Sequence, residues 1–242
     1  GPANRQGRIA AENALGGDVR YRGTQGTAII GFFGKTGATT GASEKALRRA
    51  GRAFRKAYVH PAHHAGYYPG AEGMTLKVLF EPETGRLLGA QGVGGAGVDK
   101  RIDVLAVALQ AGMTVFDLEE AELCYAPQYG SAKDPVNMAG FVAAGLVRGT
   151  HPQLDADDLG NRFLLDVRTP AEFAAGHIPG AANVPVDELR SRLAEVPRDR
   201  PVAAYCQVGQ RGYLATRVLL AAGYEAANVG GGYATYRLFH PG

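Results

Sequence analysis

The sequence has few cysteines, little net charge and no long apolar run, and each absence excludes a class of protein. Only Cys124 and Cys206 occur in 242 residues, which argues against a disulfide scaffold and favours a reducing, cytoplasmic location. The net charge of +3 is too small to predict nucleic-acid binding. No stretch approaches the roughly 18 apolar residues that span a membrane, and the polar N-terminus lacks the pattern of a signal peptide.

Patterns typical of metal ligands are absent as well. His60, His63 and His64 have neither a thiol nor a helical second histidine beside them, so we expect no metal site. The composition, 45% hydrophobic and 20% charged with 35 glycines, is that of a globular chain with many tight turns. Its length predicts two domains.

Cys206 stands out because it lies between two segments of different periodicity. The apolar run 201–205 predicts a buried strand, and the apolar residues of 213–223 recur at helical spacing. We therefore expect Cys206 in a strand-to-helix turn, where helix amides and the helix dipole favour an anion. Arg211 adds a positive charge, so the sequence predicts a thiol with a lowered pKa that acts as a nucleophile.

The first 147 residues predict strands followed by helices. We expect a helix at 9–15, a strand at 26–33 with a turn-rich stretch at 34–41, a basic helix from Ser43 to Phe54, a strand starting at Tyr58, a hairpin of 76–80 with 86–93, and helices at 98–111, 115–121 and 136–146. The arginines of the basic helix are interpreted as a solvated face, or alternatively as ligands of a phosphorylated group. The glycines of 92–97 do not match a dinucleotide loop and predict a strand-to-helix turn.

A polar segment at 148–153 predicts a linker, and strands and helices alternate after it. We expect strands at 163–166, 182–184, 202–205 and 223–229, a helix starting at Thr169 with Glu172 in its first turn, and a helix at 186–193. This alternation predicts a small parallel α/β sheet with its ligand site at the carboxyl ends of the strands.

Several motifs follow one another in this second part. They are LDVR at 165–168 with Glu172-Phe173, GHIPGA at 176–181, YCQVGQR at 205–211 and GGG at 230–232. Together they resemble a rhodanese-type sulfurtransferase domain over about 154–239. The resemblance implies a six-residue loop, from Cys206 to Arg211, whose cysteine carries sulfane sulfur as a persulfide. Related phosphatases have a loop one residue longer, which disfavours phosphate chemistry.

The resemblance also implies roles for the residues around the cysteine. Cys206 and Arg211 are the expected catalytic residues, and Asp166 and Arg168 are expected to support the loop. The expected cradle for the persulfide or an oxyanion consists of Gln207, Val208, Gly209, Gln210 and Gly212. Many members of the family carry a second basic residue in this loop, where this sequence has glutamines. A low-molecular-weight persulfide is therefore a better candidate donor than thiosulfate.

A second set of motifs lies in the first part. They are GKTGA at 34–38, GYYPG at 66–70, VDKRI at 98–102, YAP at 125–127 and DPVN at 134–137. They resemble the dimerisation domain of pyridine nucleotide-disulfide oxidoreductases, in the coenzyme A-disulfide reductase branch that carries a C-terminal rhodanese domain. The resemblance implies a homodimer in which Tyr67 and Tyr125 reach the partner's active site and donate a proton to a leaving thiolate. The alternative is that these tyrosines are buried in the dimer interface.

Further expectations follow from this second resemblance. Tyr129 is a further tyrosine candidate, Lys100 and Arg101 are candidates for contacting coenzyme A phosphates, and Cys124 is expected to be an inert packing residue. Residues 1–25 resemble the last helix of a flavin-binding domain and a connector. They are followed by the α+β dimerisation domain at 26–147, the linker at 148–153 and the α/β rhodanese-like domain at 154–242.

No complete cofactor site is predicted in this chain, because the flavin-binding and nicotinamide-binding domains of such enzymes are missing from it. FAD, NAD(P)H and coenzyme A are expected for a longer parent. The start at Gly1-Pro2 without methionine favours a cut from such a parent over a remnant of cloning.

The resulting hypothesis is a sulfurtransferase domain of a coenzyme A-disulfide or persulfide (polysulfide) reductase, acting on a small persulfide, a coenzyme A persulfide or a coenzyme A disulfide. One alternative is a non-catalytic dimerisation and partner-binding module. Another is a flavin reductase in its own right, against which the missing dinucleotide fingerprint argues.

Overall fold

A computed structural model describes residues 1–241 and shows two units, each built on a five-stranded sheet. The helices and strands are α1 (Pro2–Ala14), β1 (Ala28–Phe32), β2 (Lys35–Gly41), α2 (Glu44–Arg49), β3 (Arg55–Val59), β4 (Met74–Phe80), β5 (Leu87–Gly94), α3 (Val98–Gln110), α4 (Val115–Glu119), α5 (Pro135–Val147), β6 (Gln153–Leu154), β7 (Phe163–Asp166), α6 (Pro170–Ala174), β8 (Ala182–Asn183), β9 (Val202–Tyr205), α7 (Gln210–Ala221), β10 (Ala226–Val229) and α8 (Gly232–Phe239). In this stretch no helix is long and apolar enough to cross a membrane.

The first unit is an antiparallel sheet in the order β1-β2-β5-β4-β3. The predicted turn at 34–41 is wrong, because these residues form β2, which pairs with both β1 and β5. Three threonines favour a strand here. The backbone hydrogen bonds to a neighbouring strand on each side outweigh the low strand propensity of the glycines. The turn itself is only Phe33-Gly34, with φ of 44° and 71°, as a two-residue type I′ hairpin requires.

Helices α3 and α5 cover one face of this sheet. Ile102 and Leu105 of α3 and Ala139 and Ala143 of α5 are buried in the same core as the strands β3 to β5. The predicted basic helix is shorter than expected. Ser43 caps it through the amide of Ala46, but it ends at Arg49, since Gly51 has a φ of 61°.

The second unit is a parallel sheet in the order β6-β10-β9-β7-β8, so the mixed fold with a parallel second sheet is confirmed. Strand β6 begins inside the predicted linker. The predicted helix at 186–193 is wrong. The amide of Glu188 donates to the carbonyl of Pro185 and the amide of Leu189 to that of Val186, so this segment forms successive tight turns. The amide of Val186 donates to the carbonyl of Val167, which ties this segment to the sheet instead.

The two units contact each other through β3 and the elements that flank the second sheet. Lys56, 4% exposed, forms ion pairs with Asp155 and Asp157. His60 lies 2.7 Å from the hydroxyl of Thr235 in α8 through Nε2 and 3.0 Å from that of Thr75 through Nδ1. Helix α8, which the sequence did not predict, is thereby joined to the first unit.

Candidate functional site

Cys206 lies directly after β9, the central strand of the parallel sheet. The turn places it at the carboxyl edge of that sheet, as the sequence predicts. Its side chain is 1% exposed, and its Sγ accepts a hydrogen bond of 3.2 Å from the amide of Gly209. Helix α7 begins at Gln210, three residues before the predicted start at Tyr213. Gln210 and Arg211, which the sequence placed in the loop, are therefore in the first turn of α7.

The N-terminus of α8 forms hydrogen bonds with the backbone of the loop. The amide of Tyr233 donates to the carbonyl of Cys206 at 2.8 Å, and the amide of Ala234 donates to that of Gln207 at 2.9 Å. A side chain on Gly232 would overlap the carbonyl oxygen of Cys206 and the amide nitrogen of Gly209. The three glycines at 230–232 were the sequence signal for this close approach, although they did not predict the helix.

Asp166 and Arg168 form a buried ion pair next to the loop. The guanidinium of Arg168 donates to Asp166 through Nε and Nη2, the latter at 2.6 Å. It also donates to the carbonyl of Gly176 at 2.7 Å and to the side-chain oxygen of Gln207 at 3.0 Å. Burial lowers the pKa of Arg168, but the hydrogen bonds to Asp166 and the negative charge of that carboxylate together outweigh burial, so the pKa of Arg168 is raised and it stays charged. The pair thus connects β7 to the loop.

Arg211, the positive charge that the sequence places in the loop, forms an ion pair with Glu172. Its guanidinium donates to both carboxylate oxygens of Glu172, at 2.8 and 2.6 Å. This bidentate bond, together with the bonds from Thr169, lowers the pKa of Glu172 to about 2, and in turn it raises the pKa of Arg211. Glu172 also closes the capping box of α6 with Thr169. Sequence reasoning assigned Glu172 to the helix start only and missed this second role.

The remaining loop residues divide into exposed side chains and buried glycines. Gln207, Val208 and Gln210 are exposed, whereas Gly209 and Gly212 are buried. A side chain on Gly212 would overlap the side-chain oxygen of Asn228, whose amide in turn donates to the carbonyl of Gly209. A cavity of about 370 Å³ flanks the loop where the two units meet. Its lining includes Tyr58, His60, Val208, Gln210 and Tyr213.

The two predicted tyrosines of the first unit lie together, although 58 residues separate them. Their hydroxyl oxygens are 3.2 Å apart, and the hydrogen bond between them raises the pKa of Tyr125. Tyr67 is 78% and Tyr125 49% exposed in the single chain. The amide of Ala65, which bonds to the carbonyl of Gly130 at 2.8 Å, joins the two loops that carry them. Tyr129 is exposed on the same loop as Tyr125.

Other candidates of the first unit require correction. Arg101 is 1% exposed, and it donates to Asp134 and to the carbonyls of Gly97 and His63. This burial argues against a contact between Arg101 and a coenzyme A phosphate, whereas Lys100 is partly exposed, and the role of both residues stays a prediction. Cys124 is exposed rather than packed. Within 1–241, no three histidine, cysteine or acidic side chains group together as metal ligands.

Comparison with known proteins finds a similar domain family for each unit. The family described as "Rhodanese-like domain" matches residues 152–238. The family described as "Pyridine nucleotide-disulphide oxidoreductase, dimerisation domain" matches residues 27–134. Helix α5, which packs into the core of the first unit, lies outside both matches.

Two solved structures contain both parts within longer chains, and a curated relative matches about three fifths of this chain. One is the crystal structure of reduced Bacillus anthracis CoADR-RHD, which matches this chain with 45% sequence identity and a TM-score of 0.95. The match covers 99% of this chain and 44% of the longer one. The NAD-dependent persulfide reductase from A. fulgidus is 37% identical, with a TM-score of 0.88, over 96% of this chain and 43% of its own. The coenzyme A disulfide reductase of Staphylococcus haemolyticus is 39% identical over 60% of this chain and 32% of its own length. The chain thus spans about a third of this curated relative.

Proposed function

Because the chain joins a pyridine nucleotide-disulphide oxidoreductase dimerisation domain to a rhodanese-like domain, we propose that Cys206 is a sulfur carrier. The observation that supports this most directly is the position of its sulfur, buried at the carboxyl edge of the sheet with the Gly209 amide directed at it. A thiolate or a terminal persulfide sulfur is an anion, and a helix N-terminus stabilises an anion.

The proposed reaction has two steps. The thiolate of Cys206 attacks the outer sulfur of a persulfide R–S–S⁻, so that R–S⁻ leaves and the enzyme holds Cys206–S–S⁻. An acceptor thiolate or cyanide then attacks the outer sulfur, and the Cys206 thiolate leaves. Each step makes one bond to sulfur and breaks one, so no external oxidant or reductant is required.

Mass spectrometry of the intact chain tests the proposal. Incubation with glutathione persulfide is expected to add the mass of one sulfur atom, and cyanide is expected to remove it as thiocyanate. Cys206→Ser is the control, since it retains Cys124 as the remaining thiol. A chain that alkylates normally when denatured but takes up no sulfur when folded would contradict the proposal.

The longer protein is proposed to be a flavin-dependent reductase of coenzyme A disulfides or persulfides, which uses FAD, NAD(P)H and coenzyme A. The support is that the solved structures of CoADR-RHD and of a persulfide reductase cover both parts of this chain, and that a coenzyme A disulfide reductase matches 60% of it. Lys100 then remains a candidate for a coenzyme A phosphate, and a cytoplasmic location remains a prediction.

In such a protein the first unit forms a homodimer, and the Tyr67–Tyr125 pair donates a proton to the leaving thiolate in the partner's active site. A phenol hydrogen-bonded to a second phenol is suited to this role, because the second hydroxyl supports the first during transfer. In the longer protein, Tyr125→Phe is expected to lower kcat for disulfide reduction by at least tenfold. Sedimentation velocity of the present chain tests the dimer itself.

The second candidate is a partner-binding module without catalysis. Strand β1 favours it, since Ile29, Ile30 and Phe32 are 59%, 63% and 44% exposed and form an apolar edge. The sulfur-loading experiment separates the two candidates, because a binding module takes up no sulfur on Cys206.

A further inference from the structure

We propose that Glu172 determines which sulfur donor the loop accepts, by neutralising Arg211 so that monoanionic organic persulfides are favoured over dianionic thiosulfate. This inference rests on the proposed sulfur-carrier function of Cys206. It concerns the choice of donor, which the presence of the loop alone does not decide.

The geometry of the Arg211–Glu172 pair carries the argument. Arg211 is in the first turn of α7, and the Cys206 sulfur is close enough to contribute to raising its pKa, after the larger contribution of Glu172. Two of the three guanidinium nitrogens of Arg211, Nη1 and Nη2, donate to the two oxygens of Glu172. Bidentate pairing of this kind is both directional and strong. A donor anion must therefore compete with a fixed carboxylate.

No other cation of the loop is free to replace Arg211. From Cys206 to Gly212 the loop contains Arg211 as its single charged residue. The neighbouring Arg168 is buried, and its donors are taken by Asp166, Gly176 and Gln207. The two arginines beside the loop are therefore each matched by a carboxylate.

The two kinds of donor differ in the charge they bring. Thiosulfate transfers its outer sulfur to the Cys206 thiolate and leaves as sulfite, so the reacting pair carries three negative charges. An organic persulfide leaves as a thiolate, and its reacting pair carries two. In both cases one S–S bond forms as another breaks, and the electron pair of the broken bond departs with sulfite or thiolate. The additional charge is stabilised by a free cation and opposed by Glu172.

Glu172→Gln tests the inference, because glutamine also serves the capping box with Thr169 while removing the charge that neutralises Arg211. We expect the ratio of kcat/KM for thiosulfate to kcat/KM for 2-hydroxyethyl persulfide, an organic persulfide with a single negative charge, to rise roughly tenfold with cyanide as acceptor. In the double variant Glu172→Gln/Arg211→Gln this rise is expected to vanish, since no cation is released.

Glu195→Gln is the matched control. It removes the carboxylate of another bidentate arginine pair in the same unit, that of Arg192, and should leave the ratio unchanged. Gln210→Lys adds a cation at an exposed loop position without touching Glu172, and should also raise the ratio. If Glu172→Gln does not fold, an unchanged ratio in Gln210→Lys still overturns the proposal, because the proposal requires that positive charge in the loop favours thiosulfate.

An unchanged ratio in every folded variant overturns the role of Glu172. Failure of the proposed function has a different signature, since the wild-type chain would then take up no sulfur from either donor. The two failures are therefore distinguishable in one set of measurements.

Discussion

At the scale of single residues, the buried Asp166–Arg168 pair shows how charge supports the loop. Asp166 is fully buried and Arg168 nearly so. A buried pair contributes little net stability, but the loss of one member leaves an uncompensated charge in the interior. A substitution of Asp166 is therefore expected to disturb the position of Gln207, because Arg168 is hydrogen-bonded to both side chains.

Asp166→Asn is expected to lower the local free energy of unfolding around β7 and β9 by about 3–5 kcal/mol, because Arg168 stays buried without its carboxylate. Amide hydrogen exchange in these strands measures it. Glu188→Gln is the control, since its pair with Arg192 is exposed and is worth at most about 1 kcal/mol. Equal effects of the two substitutions would contradict the argument.

His60 gives a residue-scale prediction on pH. Burial lowers the pKa of His60 from 6.5 to about 4. As the pH falls, His60 of the unfolded chain is therefore protonated at a higher pH than His60 of the folded chain. The contribution of neutral His60 to the free energy of unfolding is therefore expected to be complete above pH 6.5. It is expected to decrease by roughly 3 kcal/mol as the pH falls to about 4. Burial also lowers the pKa of His151, which adds to the loss in the same range.

The difference between wild type and His60→Gln isolates the contribution of His60. Urea unfolding between pH 7 and pH 4.5 should show a smaller loss of stability in the variant, because glutamine does not titrate. Glu44 and Glu172, whose pKa values are lowered to about 2, lose their contribution only at lower pH. A variant with the wild-type pH dependence would refute the assignment.

At the scale of elements, the loop is formed by three of them, β9, α7 and α8. Strand β9 delivers Cys206 to the edge of the sheet, α7 supplies amides, and α8 holds two carbonyls of the loop. The close contact at Gly232, which also has a φ of 63°, leaves no space for a side chain.

Gly232→Ala is expected to displace the loop and to reduce sulfur uptake by Cys206 at least tenfold, because the added carbon overlaps the backbone of Cys206 and Gly209. Gly223→Ala is the matched control. It also has a positive φ, of 80°, and costs about 1–2 kcal/mol for that reason, but it meets no backbone atom. Sulfur uptake measured by intact mass should therefore fall in the first variant only.

At the scale of the whole molecule, the contact between the units passes through a few side chains of β3. Lys56 is within reach of Asp155, Asp157 and Glu44, and His60 bonds to α8. Because α8 also holds the Cys206 loop, the first unit supports the site of the second.

Lys56→Gln is expected to loosen this contact, because it leaves three carboxylates without their shared cation. Amide exchange in α8 should rise about tenfold, which corresponds to about 1.4 kcal/mol. Arg52→Gln is the control, since its exposed pair with Glu81 lies within the first unit. Unchanged exchange in α8 would show that Lys56 does not join the units.

The local parts of the fold and of the site were predictable. The strand before Cys206, the helix after it, the capping Ser43 and the helices α3 and α5 follow from patterns within a few residues. Errors arose where long-range pairing outweighs local preference. Strand β2 is stabilised by two neighbours despite its glycines, and residues 186–193 are tied to Val167 instead of coiling into a helix.

The sequence by itself determined the chemistry available to the loop: its nucleophile, its length and the neutral glutamines in it. Only the tertiary structure decided how the charges are used. Arg211 meets Glu172 from 39 positions away, Arg101 meets Asp134 from 33, and α8 supplies the support of the loop. The reason is physical, since the partner of a charged side chain is set by which elements pack together, and sequence spacing does not contain that information.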